Sequence, residues 1–221
     1  MSKRRRVRSL LGLAVLGVAV QRPMHPYEMA SMLRARAKDR DIAIKWGSLY
    51  SVVQNLEKHG LLASIGTERE GGRPERTVYR LTDAGRVELS DWVSELVSAP
   101  SHEPRQFEAG LSMLAALAPE EAAAHLKVRL ESLGRELDEK RQRLAALRAE
   151  IPRLFLIEGE YDLAMVQAEA EWAGSLHDEL ASGRFPDIEK WRAAQNTGQI
   201  AAQWGDIAER GSIPGRSGPG A

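Results

Sequence analysis

Residues 46–85 follow an order that few folds accommodate: an amphipathic helix, a short strand, a turn of Gly, Arg and Pro, a second strand, and a new helix start. Leu49, Val52, Val53 and Leu56 fall at i, i+3, i+4 and i+7 and predict one apolar helix face. Gly60 predicts the stop, with Lys58 and His59 in the last turn, where positive charge suits the helix dipole. Leu61–Ile65 and Thr77–Leu81 read as strands of β-branched and aromatic residues. Between them lies Gly71-Gly72-Arg73-Pro74. Its glycines permit positive φ, and Pro74 cannot donate to a ladder, so this stretch is a tip and not sheet interior. Thr82 is placed to cap the next helix, with Asp83 in its first turn. Helix, hairpin and helix in this order make a winged helix.

The polar side of the same helix carries the candidate chemistry. Opposite the apolar face stand Gly47, Ser51, Gln54 and Lys58, flanked by Ser48, Tyr50 and Asn55. None is acidic, and these side chains donate and accept at base edges and phosphates. Arg69, Arg73 and Arg76 surround the hairpin tip. The ligand this pattern predicts is double-stranded DNA. Arg69, Arg73, Arg76 and Tyr50 are expected on phosphate, and Ser48, Ser51 and Gln54 on bases. Lys58 and Tyr27 are counted in the same DNA-facing set. Periodicity alone leaves the alternative open, since a helix followed by a basic hairpin also occurs in domains that bind nothing charged.

Several blocks in this order resemble the PadR family of bacterial transcriptional regulators. Leu10–Leu16 and His25-Pro26-Tyr27-Glu28 resemble that family's first helix and the start of its second. Gly47-Ser48-Leu49-Tyr50 and Leu56-Glu57-Lys58-His59-Gly60-Leu61 resemble its recognition helix. Gly72-Arg73-Pro74 and Val78-Tyr79-Arg80-Leu81-Thr82-Asp83-Ala84-Gly85 resemble its wing and exit. The resemblance covers roughly residues 9–97. Two positions depart from the pattern: Pro26 stands where Gly is usual, and Ala43-Ile44-Lys45-Trp46 lacks the usual Ser or Thr before the recognition helix. The resemblance implies a cytoplasmic regulator, at the nucleoid when bound to DNA, with C-terminal helices that form a homodimer.

The formal net charge of zero conceals a division. Through Ser90 the chain has 17 Lys and Arg against 9 Asp and Glu, a balance of +8. The remainder holds 14 basic and 22 acidic residues, a balance of −8. A basic front and an acidic back fit a DNA-reading module joined to a second, different one. With no cysteine in 221 residues, disulfides, thiol redox sensing and thiolate metal sites are excluded. Lys3-Arg4-Arg5-Arg6 ahead of the apolar run Leu10–Val20 also has the form of a secretory signal. Against that, Leu10, Leu11, Ala14 and Val18 form an amphipathic stripe, and the run is too short to span a bilayer. Lys3–Arg8 reads either as a phosphate-touching arm or as a solvated tip.

Beyond Ser98–Pro104, which reads as a linker, the sequence is helical. Gln106–Leu117 predicts one apolar helix, with Phe107, Leu111, Leu114 and Leu117 on a face. Pro119-Glu120-Glu121 opens the next. Leu126, Leu130, Leu133, Leu137, Leu144, Leu147 and Ile151 then step by 4, 3, 4, 7, 3 and 4, a heptad seam with Lys140 in the missing slot. Such a seam must face something. Packing within the chain is one reading; self-association is the favoured one, since a winged helix usually reads a two-fold site as a dimer. Pro152 ends or kinks this helix, Gly159 and Glu160 make a break, and Tyr161–Ala181 forms a last long helix. Within Phe185–Trp204, Ile188, Trp191, Ile200 and Trp204 point to a weakly packed helix, and Gly211–Ala221 has the composition of a disordered tail.

No phosphate-binding glycine loop, dinucleotide fingerprint, zinc-protease helix or nucleophile with an adjacent base is found, so an enzyme is not expected. His25, His59, His102, His125 and His177 are scattered, and neither a metal nor a cofactor is expected. Trp92 and Trp172 either seal packed regions or, as the resemblance implies for an aromatic after the wing, meet a small hydrophobic effector.

The sequence therefore predicts a mainly α protein with a small β-hairpin. Residues 1–98 would be a winged helix-turn-helix with a basic arm, 104–205 a helical dimerisation domain with a coiled-coil-like helix, and 206–221 a disordered tail. Its expected function is that of a transcriptional repressor, binding a palindromic operator as a homodimer, with a small apolar effector as the candidate for its release. The alternative is an exported or membrane-associated coiled-coil protein whose apolar N-terminal run is a signal peptide.

Overall fold

The computed structural model describes residues 9–35, 46–68, 76–100 and 106–197. The chain divides into two compact units, Met1–Glu103 and Pro104–Ala221.

In the first unit α1 (Leu10–Ala19) packs against α2 (Pro26–Ala35), α3 (Trp46–Lys58) and α4 (Asp83–Ser98). Strands β1 (Leu62–Glu68) and β2 (Arg76–Leu81) form an antiparallel hairpin between α3 and α4. Val15, Leu16, Met24, Met29, Leu33, Leu49, Val53, Leu56 and Leu62 make one core. The apolar N-terminal run, the basis of the export alternative, is spent on this core: Val15 and Leu16 are fully buried. Of the expected stripe, Leu11 and Val18 are buried and Ala14 packs against the core, whereas Leu10 is exposed; Val15 and Leu16 widen the inward face. Among the described residues no helix is long and apolar enough to cross a membrane.

The second unit contains α5 (Gln106–Ser112), α6 (Pro119–Arg148), α7 (Ile157–Ala181) and α8 (Ile188–Thr197). Here the helix expected over Gln106–Leu117 divides: α5 stops at Ser112 and a tight 3-10 turn covers Leu114–Ala116. Tertiary contacts override the helical pattern. The Leu117 carbonyl accepts from Trp191 Nε1 at 3.0 Å and from Gln195 Nε2 at 2.8 Å, which pins α8 to the turn. Ala118, ahead of Pro119, is extended, as the proline ring requires of its predecessor.

Helices α6 and α7 form an antiparallel hairpin. The break expected at Gly159 and Glu160 is absent; α7 begins at Ile157 and runs through both. Glu158 and Glu160 lie in its first turn, where acidic charge is favoured. The glycine serves close packing instead, since a Cβ on Gly159 would meet Leu144 Cδ2 at 3.1 Å.

The heptad seam is occupied within one chain. Leu126, Leu133, Leu137 and Leu144 are buried, and Leu130, Leu147 and Ile151 partly so. Ala173 and Leu180 of α7 join Leu126 in one cluster. The inward side of the seam packs on α7, the packing within the chain that the sequence left open beside self-association. Lys140 fills its slot by reaching across to Asp162 and back to Glu136, the latter at 3.2 Å. Burial opposes the Lys140 charge, and the hydrogen bonds to both carboxylates outweigh it, so its pKa is raised.

Candidate nucleic-acid interface

Helix α3 meets the expected division between its faces. Leu49, Val53 and Leu56 are buried and Val52 is partly so. Ser48, Ser51, Gln54 and Lys58 are exposed, as is Tyr50 at 48%. Asn55 is half-buried. The exposed set lies along one side of the helix, with donors and acceptors free of any acidic neighbour in the first turn.

The helix ends as its sequence requires. Gly60 has φ +72°, Leu61 N–H donates to the Leu56 carbonyl at 2.9 Å, and Gly60 N–H donates to Glu57 at 2.8 Å. This paired closure needs a left-handed residue, which glycine supplies without a Cβ clash. Thr82 then fixes the return of the hairpin. Its hydroxyl accepts from Gly85 N–H at 3.0 Å and faces the Gly60 carbonyl at 2.7 Å. One side chain thus caps α4 and secures the end of α3.

The hairpin pairs Leu62 with Leu81 and Glu68 with Arg76, with a bulge between Ser64 and Gly66. Against the expected Leu61–Ile65 and Thr77–Leu81, β1 starts one residue later and the bulge lets its pairing continue past Ile65 to Glu68, while β2 starts one residue earlier at Arg76. Of the three wing arginines, Arg76 begins β2, whereas Arg69 and Arg73 lie outside the described residues.

Two links tie this hairpin to the helices. Met24 and Tyr79 exchange both backbone hydrogen bonds at 3.0 Å. The Tyr79 side chain is buried near Glu57 of α3; burial raises its pKa, with the Glu57 charge adding to the shift. Helix α2 is capped reciprocally. Glu28 N–H donates to His25 Nδ1 and His25 N–H donates to Glu28 Oε2, each at 3.2 Å. Pro26 is then the first helical residue, a position where its missing N–H costs nothing. That accounts for the departure at Pro26. Tyr27, 50% exposed, lies next to Arg76: the guanidinium is 5.4 Å from the ring centroid.

A model of the transcriptional regulator PadR-like family matches residues 15–91. The N-terminal unit is a PadR-like domain. Its sequence likeness to a curated protein, a probable transcriptional regulator of Mycobacterium tuberculosis, is 32% over 68 residues. That match spans 29% of this chain and 35% of the relative. Among solved structures, Bacillus subtilis PadR in complex with operator DNA has a TM-score of 0.66 at 20% identity, over 77% of this chain and 99% of the other. Bacillus subtilis PadR in complex with p-coumaric acid gives 0.65 at 19% identity, over 78% and 99%. These likenesses establish the fold, and they extend past the PadR-like domain into the C-terminal helices.

The two tryptophans differ. Trp92, on α4, is buried at 5% exposure. Trp172, in the second unit, is 51% exposed and meets Phe107 edge-on at 6.1 Å. Sequence reasoning missed the Arg22–Glu28 ion pair at 2.9 Å and the Tyr27–Arg76 contact. The signal for both was present in His25-Pro26-Tyr27-Glu28, but the pairing of Met24 with Tyr79 that brings Arg76 there is not local.

Proposed function

We propose that this protein is a sequence-specific, DNA-binding transcriptional regulator that acts as a homodimer on a two-fold operator. The observation that carries the reading is the exposed face of α3, with Ser48, Ser51, Gln54 and Lys58 aligned and Tyr50 beside them. In the proposed complex Ser48, Ser51 and Gln54 reach base edges in the major groove. Lys58, Tyr50 and the wing arginines Arg69, Arg73 and Arg76 hold phosphate, which fixes register without reading sequence.

Self-association is assigned to α7. Tyr161, Met165 and Trp172 share one exposed apolar side of α7, at spacings of four and seven. Such a stripe on a long helix suits a second copy, and a two-fold dimer spaces two recognition helices about one DNA turn, ~34 Å, or a multiple apart. The seam residues Leu126–Ile151 support that surface from behind. Bound across a promoter, the dimer represses by excluding the polymerase. Release by a small hydrophobic effector is assigned to Trp172, the open one of the two tryptophans; that a fold relative binds p-coumaric acid supports an aromatic effector class.

The test is selection of duplexes from a randomised pool by the full chain, together with the DNA upstream of its own gene. The reading expects enrichment of a site with two inverted halves. A pool that enriches no sequence, or a single unrepeated element, contradicts it.

A further inference from the structure

Tyr27 is exposed, sits at the start of α2, and carries the Arg76 guanidinium 5.4 Å from its ring centroid. The register of the fold puts the two together. Met24 and Tyr79 form an isolated antiparallel bridge; Tyr27 is three residues after Met24, and Arg76 is three residues before Tyr79. The bridge therefore brings the first turn of α2 alongside the first residue of β2. The entry to α2 is held by the His25–Glu28 capping box and by the Arg22–Glu28 ion pair at 2.9 Å, so Tyr27 stands on a fixed base. Arg76, by contrast, is the first residue of β2, beside the tip of the wing.

We propose that Tyr27 is a positioning residue for Arg76, its ring holding the wing's guanidinium at the height where α2 and α3 meet a DNA backbone. The inference rests on the DNA-binding reading and adds to it a division of labour. The ring of Tyr27 acts on Arg76, and Arg76 acts on phosphate. An arginine over an aromatic face keeps its N–H groups free at the rim, so stacking orients the cation without consuming its hydrogen bonds. A wing arginine left unstacked would lose side-chain freedom on binding that this contact removes beforehand.

The experiment measures the affinity of the full chain for a short labelled duplex of mixed sequence across a salt series. The proteins are wild type, Tyr27→Phe, Tyr27→Leu, Arg76→Gln and the Tyr27→Leu, Arg76→Gln double variant. Tyr27→Leu is expected to weaken binding about two- to fivefold, the worth of an exposed cation–π contact. Tyr27→Phe, which keeps the ring, is expected to bind as wild type. In the Arg76→Gln background, Tyr27→Leu is expected to add nothing. If Tyr27→Phe loses as much as Tyr27→Leu, the hydroxyl itself is on the DNA and the inference is overturned. Equal losses in both backgrounds also overturn it. Should Tyr27→Leu not fold, Tyr27→Gln takes its place in the cycle. Absence of any salt-dependent affinity in the wild type removes the DNA-binding reading, and this inference with it.

Discussion

Gly85 presses on the backbone of Leu61: a Cβ on Gly85 would stand 2.1 Å from the Leu61 carbonyl oxygen and 2.7 Å from Leu81 Cδ1. The first turn of α4 is thereby laid against the junction of α3 and β1. Thr82 and Gly85 work as a unit there, one bonding the end of α3 and the other leaving room for it. Gly85→Ala should destabilise the N-terminal unit by about 1–3 kcal/mol, since backbone has to move to admit the methyl. Thermal unfolding followed by circular dichroism reads this directly. An unchanged midpoint would show that α4 does not approach Leu61 so closely.

Lys140 sits in a leucine seam and reaches Asp162 across the α6–α7 hairpin. Replacing a partly buried ion pair by an apolar side chain of similar size is often neutral or stabilising. Lys140→Leu should therefore change stability by no more than about 1 kcal/mol at neutral pH, because Asp162 stays half-exposed and solvated. The raised pKa of Lys140 makes its contribution complete below its ordinary value of ~10.4, and lost as pH rises through the folded value. The stability gap between wild type and Lys140→Leu should shift in favour of the variant only at strongly alkaline pH. Urea titrations of both proteins across pH test this, and a large loss in the variant at neutral pH would make the ion pair essential to the hairpin.

Two sets of apolar residues in the second unit should answer differently to mutation. Leu137 is buried on α6, so Leu137→Ala should cost about 2–5 kcal/mol, and charge at Leu133 and Leu137 should unfold the unit. Tyr161 and Met165 face outward on α7, so changing both to Glu should leave the fold intact and yield monomers. Sedimentation and far-ultraviolet circular dichroism separate the cases. A folded dimer bearing Glu at both outer positions would move the self-association surface off this stripe.

Glu28 offers a pH test in the PadR-like domain. Burial raises its pKa, but hydrogen bonds from Arg22 and from the His25 backbone, with the Arg22 charge, more than offset that and hold it below the usual range. A depressed carboxylate contributes stability above its unfolded value of ~4.3, and that contribution disappears as pH falls through the folded value. Wild type should therefore exceed Glu28→Gln in stability at neutral pH, with the two curves converging in acid. A gap that stays constant down to the acid limit would deny Glu28 its charged role.

Local signals made the first unit legible. The apolar period of α3, the stop at Gly60 and the cap at Thr82 all depend on residues within one or two turns, and all three formed as the sequence indicates. The misreadings lie where distant contacts decide. Gly159 reads as a break until Leu144 is known to lie against it, and Leu117 reads as helix until Trp191 and Gln195 claim its carbonyl. The heptad seam was visible in the sequence, whereas its partner was not: a period states that a face is covered, not by what. Tyr27 was legible as a member of the DNA-facing set, but its contact with Arg76 depends on the bridge from Met24 to Tyr79.

The most direct measurement of the central claim is the affinity of Gln54→Ala and wild type for the selected operator and for its single-base variants. Gln54 is exposed on α3, and a bidentate contact to adenine discriminates by ~1–3 kcal/mol. The account predicts that Gln54→Ala loses preference at one position in each half-site while keeping its preferences elsewhere and its salt dependence. A uniform loss across all variants, with every base preference preserved, would contradict sequence reading by this face of α3.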